Sequence, residues 1–289
     1  MRLFKREAIR NFFQFFSPDA GRVEVEELPG LRSAWLKREV RVRVLLPPGY
    51  LESERSYPLL CLNDGQDLEA LRFVRVLERL YLKRKVSHFI TVAVDAGDRM
   101  QEYGTAGRAD YMNRGRKAGA YTRFLLRELV PLLRQQYRIA EGPKANAIAG
   151  FSLGGLSAFD IAWHHPEVFG QVGVFSGSLW WRSKPFRKDA PDADRIVQTY
   201  VEKSKAFPPL RFWLQAGTDD EQADRNNNGI IDAIDDTLDL IKALETIGYD
   251  RKKAIRYVEV KGGEHNPQTW GQIMPDFLQW AFPKRATNK

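Results

Sequence analysis

The chain has 289 residues, 43% hydrophobic and 28% charged, with 45 lysines and arginines against 37 acidic residues for a net charge of +8. That balance describes a globular chain with material for one large α/β core, and it excludes a disordered polymer. No apolar run reaches membrane-spanning length, and the basic residues are scattered without a recognisable module, so nucleic acid is not an expected partner.

The first element is an amphipathic stretch over residues 3–16. Ile9, Phe12, Phe13 and Phe16 share one helical face, and Arg2, Lys5, Arg6 and Arg10 surround it. Such a face packs on the protein body or lies on a membrane surface. We take packing as the expectation, which makes residues 1–21 a basic, aromatic segment ahead of a single domain over 22–289. The start lacks the apolar core of a secretory signal. The one cysteine, Cys61, allows no internal disulfide and sits in an apolar run as packing. A reducing, cytoplasmic setting is therefore expected.

Strand-like runs follow at 23–27, 40–46, 59–62, 89–94, 146–149, 172–175, 212–215 and 255–260. Helical periodicities lie between most of them, at 68–83, 121–136, 156–164, 194–205 and 231–247, with a last helix at 270–281. The first strands come without intervening helices and predict an antiparallel start. The later βα alternation predicts a mostly parallel central sheet with helices on both faces.

Within that order, Ala149-Gly150-Phe151-Ser152-Leu153-Gly154-Gly155 sits between a strand and a helix. Strand, Gly-x-Ser-x-Gly and helix is the context of a nucleophile elbow, in which glycines admit close approach while the serine takes a cramped, exposed geometry. The alternative is a glycine-rich turn whose serine caps the helix.

A serine hydroxyl needs a base, an orienting acid and an oxyanion hole. Of four histidines, His88 precedes the serine, and His164 and His165 end the next helix, where they cap its dipole. His265, in the glycine-rich loop Gly262-Gly263-Glu264-His265-Asn266, is the candidate base. The acid is expected after strand 212–215, in Ala216-Gly217-Thr218-Asp219-Asp220-Glu221. A Gly-x-x-acid register favours Asp220, with Asp219 and Glu221 as alternatives. Oxyanion donors are expected from the backbone N–H groups of Leu153 and of Gln66, the latter in Asn63-Asp64-Gly65-Gln66.

A second motif runs from Asp224 to Asp235. Asp224, Asn226, Asn228, Asp232 and Asp235 occupy positions one, three, five, nine and twelve of a calcium-loop template, Gly229 the sixth, and Ile230 offers its carbonyl at the seventh. Asp235 replaces the usual glutamate, as in dockerin loops. The alternative is an Asn-Gly turn. We expect a structural Ca2+ ion that stiffens the segment carrying the acid, and no organic cofactor.

Taken together, these residues resemble the esterase D and enterochelin esterase-like family of α/β-hydrolases, over about residues 40–282. The likeness rests on Leu46-Pro47-Pro48-Gly49-Tyr50, Asn63-Asp64-Gly65-Gln66, the Ser152 elbow, Phe175-Ser176-Gly177-Ser178-Leu179-Trp180-Trp181, and Gly262-Gly263-Glu264-His265 followed by Trp270. It implies an α/β-hydrolase fold and a serine hydrolase acting on a small-molecule carboxylic ester, with Ser152, His265 and Asp220 as the triad. Trp180 and Trp181 are expected to wall the acyl pocket, with core packing as the competing role. Arg99 is expected on the same rim, either contacting substrate or pairing with Glu102. Two rivals use the same residues: an acyltransferase, and a non-catalytic scaffold for calcium-dependent binding.

Overall fold

The protein is described by a computed structural model over residues 21–284, so the expected helix at 3–16 lies outside the described residues. The chain opens with strand β1 (Glu24–Glu27), a small hairpin of β2 (Arg32–Ser33) and β3 (Arg38–Glu39), and β4 (Val42–Leu46). Then come β5 (Leu59–Asn63), helix α1 (Phe73–Leu82), β6 (Ile90–Val94) and the short α2 (Arg99–Glu102). A long helical segment follows, α3 (Ala118–Arg123) and α4 (Val130–Gln136) joined through a π-helical stretch at Phe124–Leu129. The second half alternates: β7 (Asn146–Phe151), α5 (Leu153–His164), β8 (Gln171–Phe175), α6 (Ile196–Glu202), β9 (Arg211–Asp219), α7 (Asp232–Thr246), α8 (Arg251–Ala254), β10 (Ile255–Glu264) and α9 (Pro267–Ala281).

Eight strands form one sheet in the order β1-β4-β6-β5-β7-β8-β9-β10. β4 pairs antiparallel with both β1 and β6, and every later pairing is parallel. This is the antiparallel start and parallel body that the element order predicted. β5 and β7 lie at the centre, whereas β10 is an edge.

The alternation of side chains makes two cores. Leu59 and Cys61 of β5 face one, with α3, α4, α5 and α7, and Leu60 and Leu62 face the other, with α1 and α9. In α1 the buried stripe is Phe73, Leu77, Leu80 and Tyr81; each such side chain gains about 1.5–3 kcal/mol on burial. Helix α5 is different. It is buried from Leu153 to Trp163, with no solvent-facing side, because it crosses the middle of the sheet directly behind the elbow. Among the described residues no helix is long and apolar enough to cross a membrane.

One boundary departs from expectation. Composition predicts a loop at Gly262 and Gly263, yet β10 continues to Glu264 with a register shift between Val260 and Glu264. The backbones of β9 and β10 close up here: a Cβ on Gly217 would lie 2.1 Å from the Gly263 carbonyl oxygen. Only glycine permits that approach.

Candidate active site

β7 delivers Ser152 to the carboxyl edge of the sheet with φ 53° and ψ −119°, a conformation that L-residues rarely take. The neighbouring glycines make it possible. A Cβ on Gly150 would meet the Gly154 carbonyl oxygen at 2.3 Å, and one on Gly154 would meet Asp64 Oδ2 at 2.4 Å. The Ser152 side chain makes no capping bond to α5, so the helix-cap alternative fails. Its hydroxyl instead lies 3.2 Å from Ser178 Oγ.

The acid and base come from the other side of the rim. Asp220, its side chain fully shielded from solvent, stands with Oδ1 3.5 Å from His265 Nδ1. Its carboxylate is fixed twice more, by the Gly217 N–H on Oδ2 at 2.9 Å and by the Ser176 hydroxyl on Oδ1 at 2.9 Å. Asp219 is exposed and meets Thr218. Glu221 is half-buried, and burial together with Asp232 and Asp236 raises its pKa. Of the three adjacent carboxylates, then, the structure brings Asp220 to the histidine. The His265 side chain is 41% exposed, and its ring sits edge-on to Trp270 at 5.3 Å. Trp270 in turn stacks at 5.0 Å on Phe151, the residue before Ser152. The structure thus joins Asp220 to His265 and Ser152 to Ser178, on one rim.

The other histidines do different work. His164 Nδ1 lies 2.9 Å from the Asp160 carbonyl in the last turn of α5, whereas His165, expected to cap the helix with it, turns to Glu167 at 3.1 Å. His88 packs on Tyr81, and burial plus Arg55 lower its pKa to about 4. Cys61 is buried, and loss of solvent pushes its thiol up to about 12, so it is inert packing.

Leu153 and Gln66 both open helical turns, where the first N–H groups lack intrahelical acceptors. Asp64, before Gln66, sits at φ 59° in the left-handed region. A buried network holds it there. Arg99 forks onto its carboxylate, Nε to Oδ1 at 2.7 Å and Nη2 to Oδ2 at 3.0 Å, while the Gln66 amide donates to Oδ1 at 2.9 Å. The Asp64 N–H donates to the Tyr103 hydroxyl at 2.9 Å. Next door, Tyr121 donates to Asn63 Oδ1 and Asn63 donates to the Gly154 carbonyl, both at 2.7 Å. Arg99 also donates to the Phe151 carbonyl at 3.0 Å. The Gln66 turn and the elbow are therefore one braced unit.

The expected pairing of Arg99 with Glu102 is corrected, whereas the Arg99 side chain stays 35% exposed. Its fork is engaged by Asp64 and the elbow backbone, and Glu102, nearly inaccessible, pairs with Arg38 at 2.6 Å instead. Trp181 is corrected too. It is fully buried over Gly104 and Gly115 and belongs to the core, since a ring with no exposed surface cannot touch substrate as it stands. Trp180, 37% exposed, remains on the rim, with the Arg114 guanidinium 5.1 Å from its ring centre. Sequence reading missed the Asp64–Arg99 pair and the two hydroxyls of Ser176 and Ser178. The Ser-Gly-Ser run was visible, but only as a motif.

In the 224–235 loop, Asn226 and Asn228 direct their amides at Asp235 Oδ2, at 2.8 and 3.0 Å. Asp224 accepts the backbone N–H groups of Asn228 and Gly229. Asp232 is drawn aside by Arg225, at 3.1 Å. Among the described residues no three His, Cys, Asp or Glu side chains are grouped to hold a metal ion. To hold calcium, the Asn226 and Asn228 amides would have to turn their oxygens inward and Asp232 would have to leave Arg225.

A family model described as "Putative esterase" matches residues 33–281. The chain belongs to that family and is therefore a carboxylic-ester hydrolase; its fold is that of the α/β-hydrolases. In sequence it is 26% identical over 246 residues to YjcH, an uncharacterized protein of Bacillus subtilis strain 168, covering 84% of this chain and 92% of that one. It is also 26% identical over 215 residues to the iron(III) enterobactin esterase of Escherichia coli K12, covering 72% of this chain but 49% of that protein. In structure it is similar to the enterobactin esterase FES of Shigella flexneri in the presence of enterobactin, with TM-score 0.70 and 22% identity, over 89% of this chain and 59% of that one. A ferulic acid esterase matches with TM-score 0.66 and 18% identity, over 91% of this chain and 98% of that one.

Proposed function

We propose that the chain hydrolyses its ester through an acyl-enzyme on Ser152. Asp220 holds the imidazole of His265 in the tautomer that presents a bare nitrogen to the serine. His265 takes the Ser152 proton as Oγ attacks the ester carbonyl, then gives it to the departing alcohol. The N–H groups of Leu153 and Gln66 stabilise the tetrahedral oxyanion. Water, deprotonated by His265, releases the acid. The observation that carries this reading is the shielded, doubly anchored Asp220 beside a solvent-accessible His265, on the rim where Ser152 stands strained and uncapped. Ser152→Ala is expected to cut turnover of a p-nitrophenyl ester by roughly 10⁴-fold or more while leaving the thermal midpoint in place. Turnover near the wild-type rate in that variant overturns the assignment.

For the substrate we favour a bulky or aromatic acyl group. Trp180 with Arg114 across its face supports this, and so do the enterobactin and ferulic acid esterases that share the fold. Faster turnover of aromatic than of short aliphatic acyl esters is the expected result. A cytoplasmic setting is in keeping with the single unpaired, buried thiol. A structural calcium ion is a finer part of the reading: Asp224, Asn226, Asn228, Ile230, Asp232 and Asp235 would hold it, and it would stiffen the chain between Asp220 and α7. No step of the reaction runs through it.

A further inference from the structure

Past Phe175 the chain turns through Ser176-Gly177-Ser178, over the ends of the strands on either side. The Ser176 N–H donates to the Gln215 carbonyl in β9 at 2.8 Å, and the Ser178 N–H to the Ser152 carbonyl at 3.1 Å. The turn is strained. Ser176 has φ 45°, and a Cβ on Gly177 would lie 2.4 Å from Val174 Cγ1, so nothing larger than glycine fits between the two serines. Strain of this kind persists only where the surroundings over-determine it.

Both hydroxyls are buried, and each faces one end of the reacting line. Ser178 Oγ is 3.2 Å from Ser152 Oγ. Ser176 Oγ is 2.9 Å from Asp220 Oδ1 and accepts the Trp270 indole N–H at 2.9 Å. An indole only donates, so the Ser176 proton is free to go to the carboxylate.

We propose that this turn is a two-hydroxyl clamp: Ser178 is a further catalytic residue that donates its O–H to Ser152 Oγ, and Ser176 is a positioning residue that holds Asp220 for His265. The inference rests on the acyl-enzyme reading above. In acylation Oγ bonds to the carbonyl carbon, its proton goes to His265 and on to the departing alcohol, and the ester C–O bond breaks. In deacylation water bonds to that carbon and loses a proton to His265, the bond to Oγ breaks with its electron pair on Oγ, and His265 gives the water's proton to Oγ. Ser178 keeps its own proton throughout. Its hydrogen bond strengthens whenever negative charge gathers on Oγ, so its loss falls on kcat and spares KM.

The experiment follows p-nitrophenyl ester kinetics, the rate of fluorophosphonate labelling at Ser152 and the thermal midpoint in wild type and variants. Ser178→Ala is expected to lose about 10- to 100-fold in kcat and in labelling rate, with KM within about twofold. Ser178→Thr, which keeps a hydroxyl, recovers most of the loss. Ser178→Cys, similar in size and a weak donor, carries the same test if alanine fails to fold. Ser176→Ala is expected to move the acid limb of the pH–rate profile, which a purely structural role would leave in place. Wild type that goes unlabelled at Ser152 overturns the acyl-enzyme reading itself. Wild type that labels there, with Ser178→Ala labelling and turning over equally fast, overturns the clamp alone.

Discussion

Around Ser152 the polar groups are tied down in the middle of the sheet: Asp64 is forked by Arg99, Asn63 holds Gly154, and α5 is buried for nearly its whole length. Around His265 the surroundings are looser. The histidine follows the edge strand β10, its side chain is 41% exposed, and Asp220, 3.5 Å from it, sits ahead of a solvent-facing loop at 221–231. A nucleophile needs one fixed backbone geometry, and a core supplies it at the cost of tolerance to change. A base must accept and release a proton with access to water, which an edge allows. Damage at the two places is therefore expected to differ in kind.

The sharpest contrast comes from His265→Ala, which should lower kcat by roughly 10⁴-fold while moving the thermal midpoint by less than about 2 °C. A large loss of stability in that variant would mean that the edge is as integral as the centre. On the central side, Arg99→Ala leaves the fully buried Asp64 carboxylate without its fork. We expect a stability loss of about 3 kcal/mol in urea unfolding, along with a fall in kcat as the Gln66 turn loosens. An unchanged unfolding midpoint would show that the brace is not needed.

Two smaller tests address the acid side. Adding calcium after chelation should raise the thermal midpoint by about 5 °C if the ion reaches roughly a hundredfold excess over its dissociation constant. No shift would remove calcium from the reading. Glu221 gives the weakest effect. Its folded-state pKa is raised by burial and by Asp232 and Asp236, so the folded state binds its proton more tightly than the unfolded chain does. Stability from this group is present below the unfolded value and falls as pH rises through the folded one. Glu221→Gln should therefore gain about 1 °C at pH 7.5 and nothing at pH 4, in scans at both values, the gain being small because the group is half exposed.

How far the sequence carried differs along the same divide. Strand order and direction followed from alternation and from the helix-free start, because those are properties of neighbouring residues. Ser152 and His265 could be chosen by order along the chain alone, and the Gly-x-x-acid register singled out Asp220, which the structure sets beside His265. Other contacts join residues far apart in the chain: Asp64 and Arg99 are separated by 35 positions and Ser176 and Asp220 by 44, and no local pattern announces them. Trp180 and Trp181 had looked alike for the opposite reason. Their rings lie 5.8 Å apart against the same Arg114, yet one is 37% exposed and the other is buried over Gly104 and Gly115. The glycines at 262 and 263 read as loop because their composition says so, whereas a close strand approach uses the same freedom.

The solitary Cys61, sealed in the core with its thiol pushed up to about 12, leaves the exterior of the described residues free of reactive sulfur. A spectroscopic reporter attached through a cysteine introduced beside the rim, at Met112 for instance, which is 57% exposed, would meet no competing site among them. Whether the 110–114 segment moves during turnover can thus be read by labelling chemistry on an otherwise native background.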